Sequence, residues 1–407
     1  MSNDILTVDE ALAEITKRIT PLQNHQTVIL PNALGRTLAE PVVSPMNVPV
    51  YKKSAMDGYA LASKDLPESG SREFKITGTA FAGNPFNGKI AKGECIRIMT
   101  GAKIPDSADT VIEQEKVQLN GGSIIIDDTH QAGQNVRHIG EDIAKGSVVV
   151  PAGSVLGAAQ MGVLASLGIA SLQIRRRLRV AVFSSGDEIR SIGETLNGSQ
   201  NYESNRYTIS SLLKNLGAEV IDLGVVPDTE TAIQQTLEDA SHEADMVITS
   251  GGVSVGDADY IKQGLVAKGE MYFSKLHLKP GRPLTFGRIN QAVFFGLPGN
   301  PVAVMVTLMY FVRPAIKLLM GNTDYELPSF EVTCVSNLRK GPGRTEVQRG
   351  ILEHDAEHGF IVRSTGKQGS GVLSSMSSGH CFIYLPHQSS PVCSGDKTLV
   401  HPFSAFA

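Results

Sequence analysis

The sequence predicts a multidomain protein of α/β plus β class, built on a central doubly wound parallel sheet. Three observations predict it. The chain has 407 residues, too many for one hydrophobic core, so three or four domains are expected. Between about 178 and 320, apolar runs of strand length alternate with helix-period segments. That rhythm belongs to a parallel sheet covered on both faces. On either side, at 42–143 and from 329 onward, short β-like runs alternate with Gly, Pro, Asn and Asp turns.

The elements follow in order. Residues 8–19 read as an amphipathic helix, with Thr7 as N-cap and Val8, Ala11, Leu12, Ile15 and Ile19 on one stripe. The β-rich module after it offers runs at 74–76, 95–99, 110–112 and 123–126. No charged residue lies between Val148 and Ile174. A membrane-spanning helix needs about 20 mostly apolar residues, but Pro151, Gly153, Gly157, Gly162 and Gly168 interrupt this stretch. It reads as strand, turn, short helix at 158–167, then strand.

The central domain opens with a strand at 180–183. A helix follows, capped by Ser204 or Asn205, carrying Ile209, Leu212, Leu213 and Leu216, and ended by Gly217. Next come a strand at 220–223, a helix capped by Asp228 or Thr229 that runs to about 244, and a strand at 245–249. A helix at 259–268 and a strand at 294–297 precede Pro-Gly-Asn-Pro at 298–301 and a helix at 302–320. Runs at 331–335, 360–364, 381–385 and 398–401 suggest a small C-terminal β-barrel.

The charge balance is slightly acidic, with 37 Lys and Arg against 41 Asp and Glu. Nucleic acids and anionic membranes need clustered cations, so neither is expected as a partner. Trp is absent and aromatics are sparse, so stacking platforms are not expected. Cys95, Cys334, Cys381 and Cys393 are far apart with no C-x-x-C pair. Zinc is poorly supported, and a disulfide scaffold makes no sense at this length. Residues 1–18 lack the basic start and apolar block of a signal peptide. A reducing, cytoplasmic setting is the simplest expectation.

The chemistry concentrates in Thr-Ser-Gly-Gly-Val-Ser-Val-Gly-Asp-Ala-Asp-Tyr at 249–260. Paired glycines let backbone N–H groups approach a ligand closely, and a strand entering such a loop before a helix is an anion site. Asp257 and Asp259 add a cation function, because acids beside phosphate usually hold a divalent metal. Glu188 and Asp228 fall just after the first two strands, where the ligand crevice of such sheets lies. Capping a helix is the plainer role for Asp228. Opposite charge comes from Lys275, His277, Lys279 and Arg282, the first three alternating with Leu276 and Leu278. They would share one face of a strand, either a solvated basic edge or an oxyanion site. The strings Ser-Ala-Met-Asp-Gly-Tyr at 54–59, Arg-Ile-Met-Thr-Gly-Ala at 97–102 and Arg-His-Ile-Gly-Glu-Asp at 137–142 each read singly as a turn.

Taken in order, these strings resemble the molybdopterin molybdenumtransferases, the MoeA-type family related to the carboxy-terminal domain of gephyrin. The matching strings include Ser-Gly-Asp-Glu at 185–188, Lys-Pro-Gly-Arg-Pro at 279–283, Gly-Leu-Pro-Gly-Asn-Pro-Val at 296–302 and Gly-Ser-Gly-Val-Leu-Ser-Ser-Met at 369–376. The resemblance implies an elongated, discontinuous first domain (1–43 and 144–177) and an inserted β module (44–143). It also implies a molybdopterin-binding α/β domain (178–327) and a barrel (328–407). It implies insertion of molybdate into adenylylated molybdopterin with Mg²⁺, releasing AMP and molybdenum cofactor. A homodimer is implied too, with the adenylylating enzyme and molybdoenzyme-maturation proteins as partners.

The resemblance assigns catalytic roles to Asp57, Thr100, Asp142, Glu188, Asp259, Lys275 and Lys279. Ser250, Gly251, Gly252, Ser254, Asp228, Arg282, Pro298, Pro301 and Ser370 would bind the pterin substrate, with Arg344 a further carry-over. Glu188, Asp228 and Asp259 would hold the metal. Departures are small: Arg282 stands where Lys is frequent, Ala303 where Ser is frequent and Val347 where Phe is usual. Arg282 keeps the charge but replaces a point charge by a planar fork. Two rivals differ in class: an adenylylating enzyme sharing the α/β domain, and a non-catalytic scaffold.

Overall fold

The computed structural model describes residues 5–252 and 260–406. The central sheet has six strands in the order Glu219–Val226, Arg179–Ser185, Met246–Ser250, Ala292–Leu297, Pro283–Ile289, Gly269–Lys275. The first four run parallel, as expected, and Pro283–Ile289 runs antiparallel to both its neighbours, Ala292–Leu297 and Gly269–Lys275. Pro283–Ile289 and Gly269–Lys275 were not anticipated as strands of this sheet. Only Asn290 and Gln291 separate Pro283–Ile289 from Ala292–Leu297, and Asn290 takes φ 51°. So short a turn makes a hairpin, whereas a parallel crossover needs a dozen residues or more.

Successive residues of these strands feed two different cores. Val180, Val182, Met246, Ile248, Val293 and Phe295 join one. Ala181, Phe183, Val247 and Phe294 join the other. This alternation is what a sheet covered by helices on both faces requires. Asn205–Asn215 and the helix over 301–319 cover the first face. Glu230–Glu243 and Tyr260–Lys268 cover the second. The 301–319 helix passes through a π-turn at Leu308–Val312, just before Pro314, whose ring nitrogen cannot donate. It is long and apolar enough to cross a membrane, but 83% of it is buried within the protein.

Helix Val8–Arg18 forms with a full capping box between Thr7 and Glu10. Its position differs from the expected one. Val8, Ala11, Ile15 and Ile19 pack into the central core, and Leu6 bridges to Leu276 beside the sheet. The helix therefore belongs with the α/β unit, not with the elongated first domain. The rest of that region is discontinuous in sequence. His25–Ile29 pairs with Ser171–Arg175 and Val42–Val43 with Val148–Val150, around a core that includes Leu38, Leu156, Leu164 and Ile174. Residues 148–175 form the expected strand, turn, short helix and strand.

Between these segments, a six-stranded sheet builds the β module from all four anticipated runs and two further strands. The C-terminal region closes into a barrel. Thr345–Asp355, Gly359–Ser364, Phe330–Cys334, Lys397–Pro402 and Cys381–Leu385 pair in turn, and the last returns to the first. Val347, Met376 and Phe382 of this region share the central core. The barrel is thereby fixed against the α/β unit.

Two outcomes follow. Ile15→Ala removes a fully buried side chain and is expected to cost about 2–5 kcal/mol in chemical denaturation of the whole chain. A loss below about 1 kcal/mol would mean a loosely docked helix. The four cysteines are unpaired, and only Cys393 is exposed. Burial pushes the Cys95 and Cys381 thiols up to about 12 and raises Cys334 as well. Thiolate is the reactive form, so a thiol reagent at pH 8 is expected to titrate one group quickly and the rest only after denaturation.

Candidate active site

Parallel pairing brings strand ends to one level. Ser184 lies opposite Ser250, Ser250 opposite Leu297, and Ser185 opposite Val226. The loops leaving these ends open a cleft of about 1070 Å³. One wall is the central sheet, with Ser184, Ser185, Glu188, Ser250, Gly251 and Pro298. The other is the Lys279–Pro283 loop together with Arg344 and Gln368–Gly371 from the barrel.

The strand ends are held by close backbone approach and by one asparagine. Gly251 has φ 82°, and a Cβ there would stand 2.3 Å from Ser185 O. No side chain fits that gap. Asn205 Nδ2 donates to Ser250 Oγ and to Gly299 O, both at 2.8 Å. Ser250 Oγ in turn donates to Pro298 O at 3.3 Å. Asn205 thus staples two loops, and the capping work falls to Glu203. Its Oε1 accepts from Arg206 N at 2.7 Å and from Ser184 Oγ at 3.1 Å. Glu203 is only 4% exposed, with Arg206 Nε 3.6 Å from its Oε2.

The acids occupy distinct settings. Glu188 is exposed and lines the cleft, its carboxylate folded so closely over Gly186 that a Cβ there would meet it at 2.8 Å. Thr229 caps the helix after the second strand, accepting from Ala232 N. Asp228 is thereby released, and its Oδ1 accepts from Ser185 Oγ at 3.0 Å. It touches the cleft through that serine.

The cations come from the opposite wall. Lys279 Nζ lies 3.3 Å from Glu346 Oε2, a carboxylate only 6% exposed. Glu346 Oε1 also accepts from Gly341 N at 2.8 Å. Arg282 and Arg344 line the cleft with exposed side chains. The loop 367–371 rests on Arg349, which is fully buried. Its guanidinium donates to Ser375 Oγ at 3.0 Å, Lys367 O at 3.2 Å and Gly369 O at 3.0 Å. Burial lowers this guanidinium to about 10, which leaves it charged at neutral pH. Ser370 O accepts from Val302 N at 3.0 Å, tying the loop to the long helix.

A cleft with acids on the strand ends and cations on a facing loop is built for a polyanionic ligand. Comparisons with known proteins show the family. Family models match along the chain: "MoeA N-terminal region (domain I and II)" over residues 6–168, "Probable molybdopterin binding domain" over 181–318 and "MoeA C-terminal region (domain IV)" over 331–403. A molybdopterin molybdenumtransferase of Haemophilus influenzae is 40% identical over 98% of this chain and 99% of its own. The chain belongs to that family.

It is accordingly a transferase of molybdenum cofactor biosynthesis. Gephyrin of Dictyostelium discoideum is 32% identical over 95% of this chain, which spans 61% of that longer protein. The solved molybdopterin biosynthesis moeA protein of Pyrococcus horikoshii superimposes with a TM-score of 0.85 at 28% identity, covering 98% of this chain and all of that one.

Against this family frame, the expected residues divide. Glu188, Lys279, Ser250, Gly251, Arg282, Pro298, Pro301, Ser370 and Arg344 line one cleft. Gly252 adjoins it at φ 65°. Lys275 does not line it: it ends the edge strand Gly269–Lys275, after which the chain crosses to the barrel through Leu278–Lys279. His277 is turned away, with its ring 5.5 Å from that of His387. Leu276 and Leu278 are buried as their alternation implied.

Asp57, Thr100 and Asp142 sit in the β module, outside this cleft. Asp57 Oδ1 accepts from Thr100 N and Thr100 Oγ1, both at 2.7 Å. Those two bonds, with Arg97 nearby, hold its carboxyl below the usual carboxylate range. Asp142 is exposed, its N–H donating to Val48 O. Ser254, Asp257 and Asp259 lie outside the described residues. Among the described residues no three His, Cys, Asp or Glu side chains are grouped to hold a metal.

Sequence reasoning missed Glu203, Glu346 and Arg349, and took Asn205 only for a possible cap. A matched pair of glycines tests the crowding. Gly251→Ala is expected to lower the melting temperature and cut activity more than about 10-fold, since both φ and space forbid it. Gly299→Ala, where a Cβ meets nothing within 4 Å, is expected to stay within about 0.5 kcal/mol of the parent.

Proposed function

We propose that this cleft inserts molybdate into adenylylated molybdopterin, releasing AMP and the finished molybdenum cofactor. One observation carries the reading: Glu188 and the Asp228–Ser185 pair stand on the strand ends, while Lys279, Arg282 and Arg344 line the opposite wall. The substrate has a pyrophosphate and reacts with an oxyanion, so it needs both signs of charge within one cleft.

Carboxylate oxygens are hard donors that suit Mg²⁺ with water and phosphate oxygens completing its shell, and the donor set fits on that chemistry. Glu188, Asp228 and Asp259 would hold the ion, which when bound supplies charge neutralisation at the pyrophosphate. The strand-end glycines offer backbone N–H groups to the phosphates. Lys279 and the two arginines neutralise phosphate or molybdate oxygens. The two dithiolene thiols of the substrate displace two oxygen ligands from molybdate as water, and one water hydrolyses the phosphoanhydride, so that AMP leaves and the pterin keeps its own phosphate. The protein's share is placement, charge and exclusion of bulk water; no side chain has to act as a covalent nucleophile.

Asp57, Thr100 and Asp142 lie outside the cleft of their own chain, so we assign them to the cleft of a second copy in a homodimer. The adenylylating enzyme would deliver the substrate in the cytoplasm, and maturation proteins would take the product.

The test follows AMP and cofactor from purified protein with adenylylated molybdopterin and Mg²⁺, with and without molybdate. Molybdate-dependent release of both is expected. Consumption of ATP with unmodified molybdopterin would instead indicate the adenylylating activity, and binding without release a scaffold. Glu188→Ala is expected to lower cofactor formation at least about 100-fold with an unchanged melting temperature, because the side chain is exposed. Normal turnover by that variant would remove Glu188 from the chemistry.

A further inference from the structure

Among the described residues lining the cleft, one side chain is aromatic, that of Tyr202. The other uncharged lining is serine, asparagine, glutamine, glycine, proline and a few aliphatic groups. Tyr202 belongs to a short parallel pair, Ile189–Arg190 with Asn201–Tyr202, in which Tyr202 lies opposite Arg190. This pair is anchored at both ends to the site. Asn201 N donates to Glu188 O at 2.8 Å, and Glu203 N donates to Arg190 O at 2.9 Å. The tyrosine therefore sits one residue before the buried acid Glu203 and beside the strand that continues from Glu188.

Its ring is presented in an unusual way. A partly buried tyrosine commonly packs its ring and leaves its hydroxyl to water. Here the hydroxyl donates to Glu194 O at 3.0 Å, while the residue is 49% exposed. The tether limits the motion of the ring without covering it. A tethered, half-exposed aromatic ring in a cleft of charged and polar groups suits a flat heterocycle, which gains dispersion and loses little by leaving water.

We propose that Tyr202 is the stacking platform for a planar nitrogen heterocycle of the substrate. The inference rests on the reading of the cleft given above. That substrate carries two such ring systems, the adenine and the pterin, and both share the chemistry that Tyr202 recognises. The phosphates between them are left to Lys279, Arg282 and Arg344.

The test uses two variants of the full chain, Tyr202→Leu and Tyr202→Phe, with melting temperatures as a folding check. AMP affinity is measured by calorimetry, and KM and kcat with adenylylated molybdopterin. Leu keeps bulk but removes the π-face, so binding is expected to weaken about 5- to 150-fold while kcat stays within about 3-fold. Phe keeps the face and loses only the tether, so it is expected to retain most of the affinity. Weakened AMP binding by the Leu variant assigns the adenine to Tyr202. A raised KM with unchanged AMP affinity assigns the pterin. Parent-like AMP affinity and KM in the Leu variant would overturn the proposal, as would equal losses in both variants, which would mark a role in closing the 191–200 loop. If the parent protein itself neither binds AMP nor turns over, the reading of the cleft fails and takes this inference with it. An active parent with an indifferent Leu variant sinks Tyr202 alone.

Discussion

The site depends on the register of three parallel strands. Arg179–Ser185, Met246–Ser250 and Ala292–Leu297 pair residue for residue, so their last residues end at one edge of the sheet. Alternate side chains along them are committed to two separate cores. A slip of one residue would exchange those cores, which fixes the register strongly. With the register fixed, Ser185 and Gly251 must pass within a distance that excludes any Cβ. The glycine in the loop follows from the packing of the sheet, and the exposed backbone that can serve a ligand is its by-product.

The second wall is fixed by a different device. The barrel shares the larger core through Val347, Met376 and Phe382, so it cannot swing away without opening that core. Its loop at 367–371 is held from beneath by Arg349, a cation that donates to three neutral acceptors. A buried guanidinium is expensive unless its donors are satisfied, and here peptide carbonyls and a serine hydroxyl do so. Its long-range field adds positive charge behind a wall that already presents Lys279, Arg282 and Arg344. Lys279 in turn leans on the buried carboxylate of Glu346, which orients it but leaves its side chain 56% exposed.

Much of this was legible in the sequence where a local signal coincided with a packing demand. The helix Val8–Arg18 was visible because a capping box and an apolar stripe agree. The strand ends were visible because apolar runs stop at glycines, serines and acids. The longest barrel strand, Thr345–Asp355, was missed because its buried positions include Glu346, Gln348 and Arg349, which carry no hydrophobic period. The domain of the first helix was misjudged because an amphipathic stripe says that a helix packs, not on what. Asn205 and Glu203 were opaque for a related reason. Both types are common at helix starts, and only the register of distant strands shows that Asn205 reaches Ser250 and Gly299.

The family resemblance and the geometry fail in opposite directions, and that makes them useful together. Motif strings put Asp57, Thr100, Asp142 and Lys275 in one catalytic set with Glu188 and Lys279, the first three from another domain across a domain or dimer boundary, because a string has no coordinates. The fold separates them. Asp57 and Thr100 satisfy each other across a turn of the β module, an arrangement that a purely structural turn would also adopt. Neither lines the cleft of its own chain among the described residues. Either they shape the module, or they meet a cleft that another chain supplies. Exchange of Asp57 for Asn separates these alternatives on physical grounds. A turn residue needs only an acceptor, which Asn would provide as well as Asp. Thr100 lowers the Asp57 carboxyl below the usual range, as turns elsewhere in the chain lower Asp127 and Asp355, so only a role in a cleft would make an Asn at this position fail.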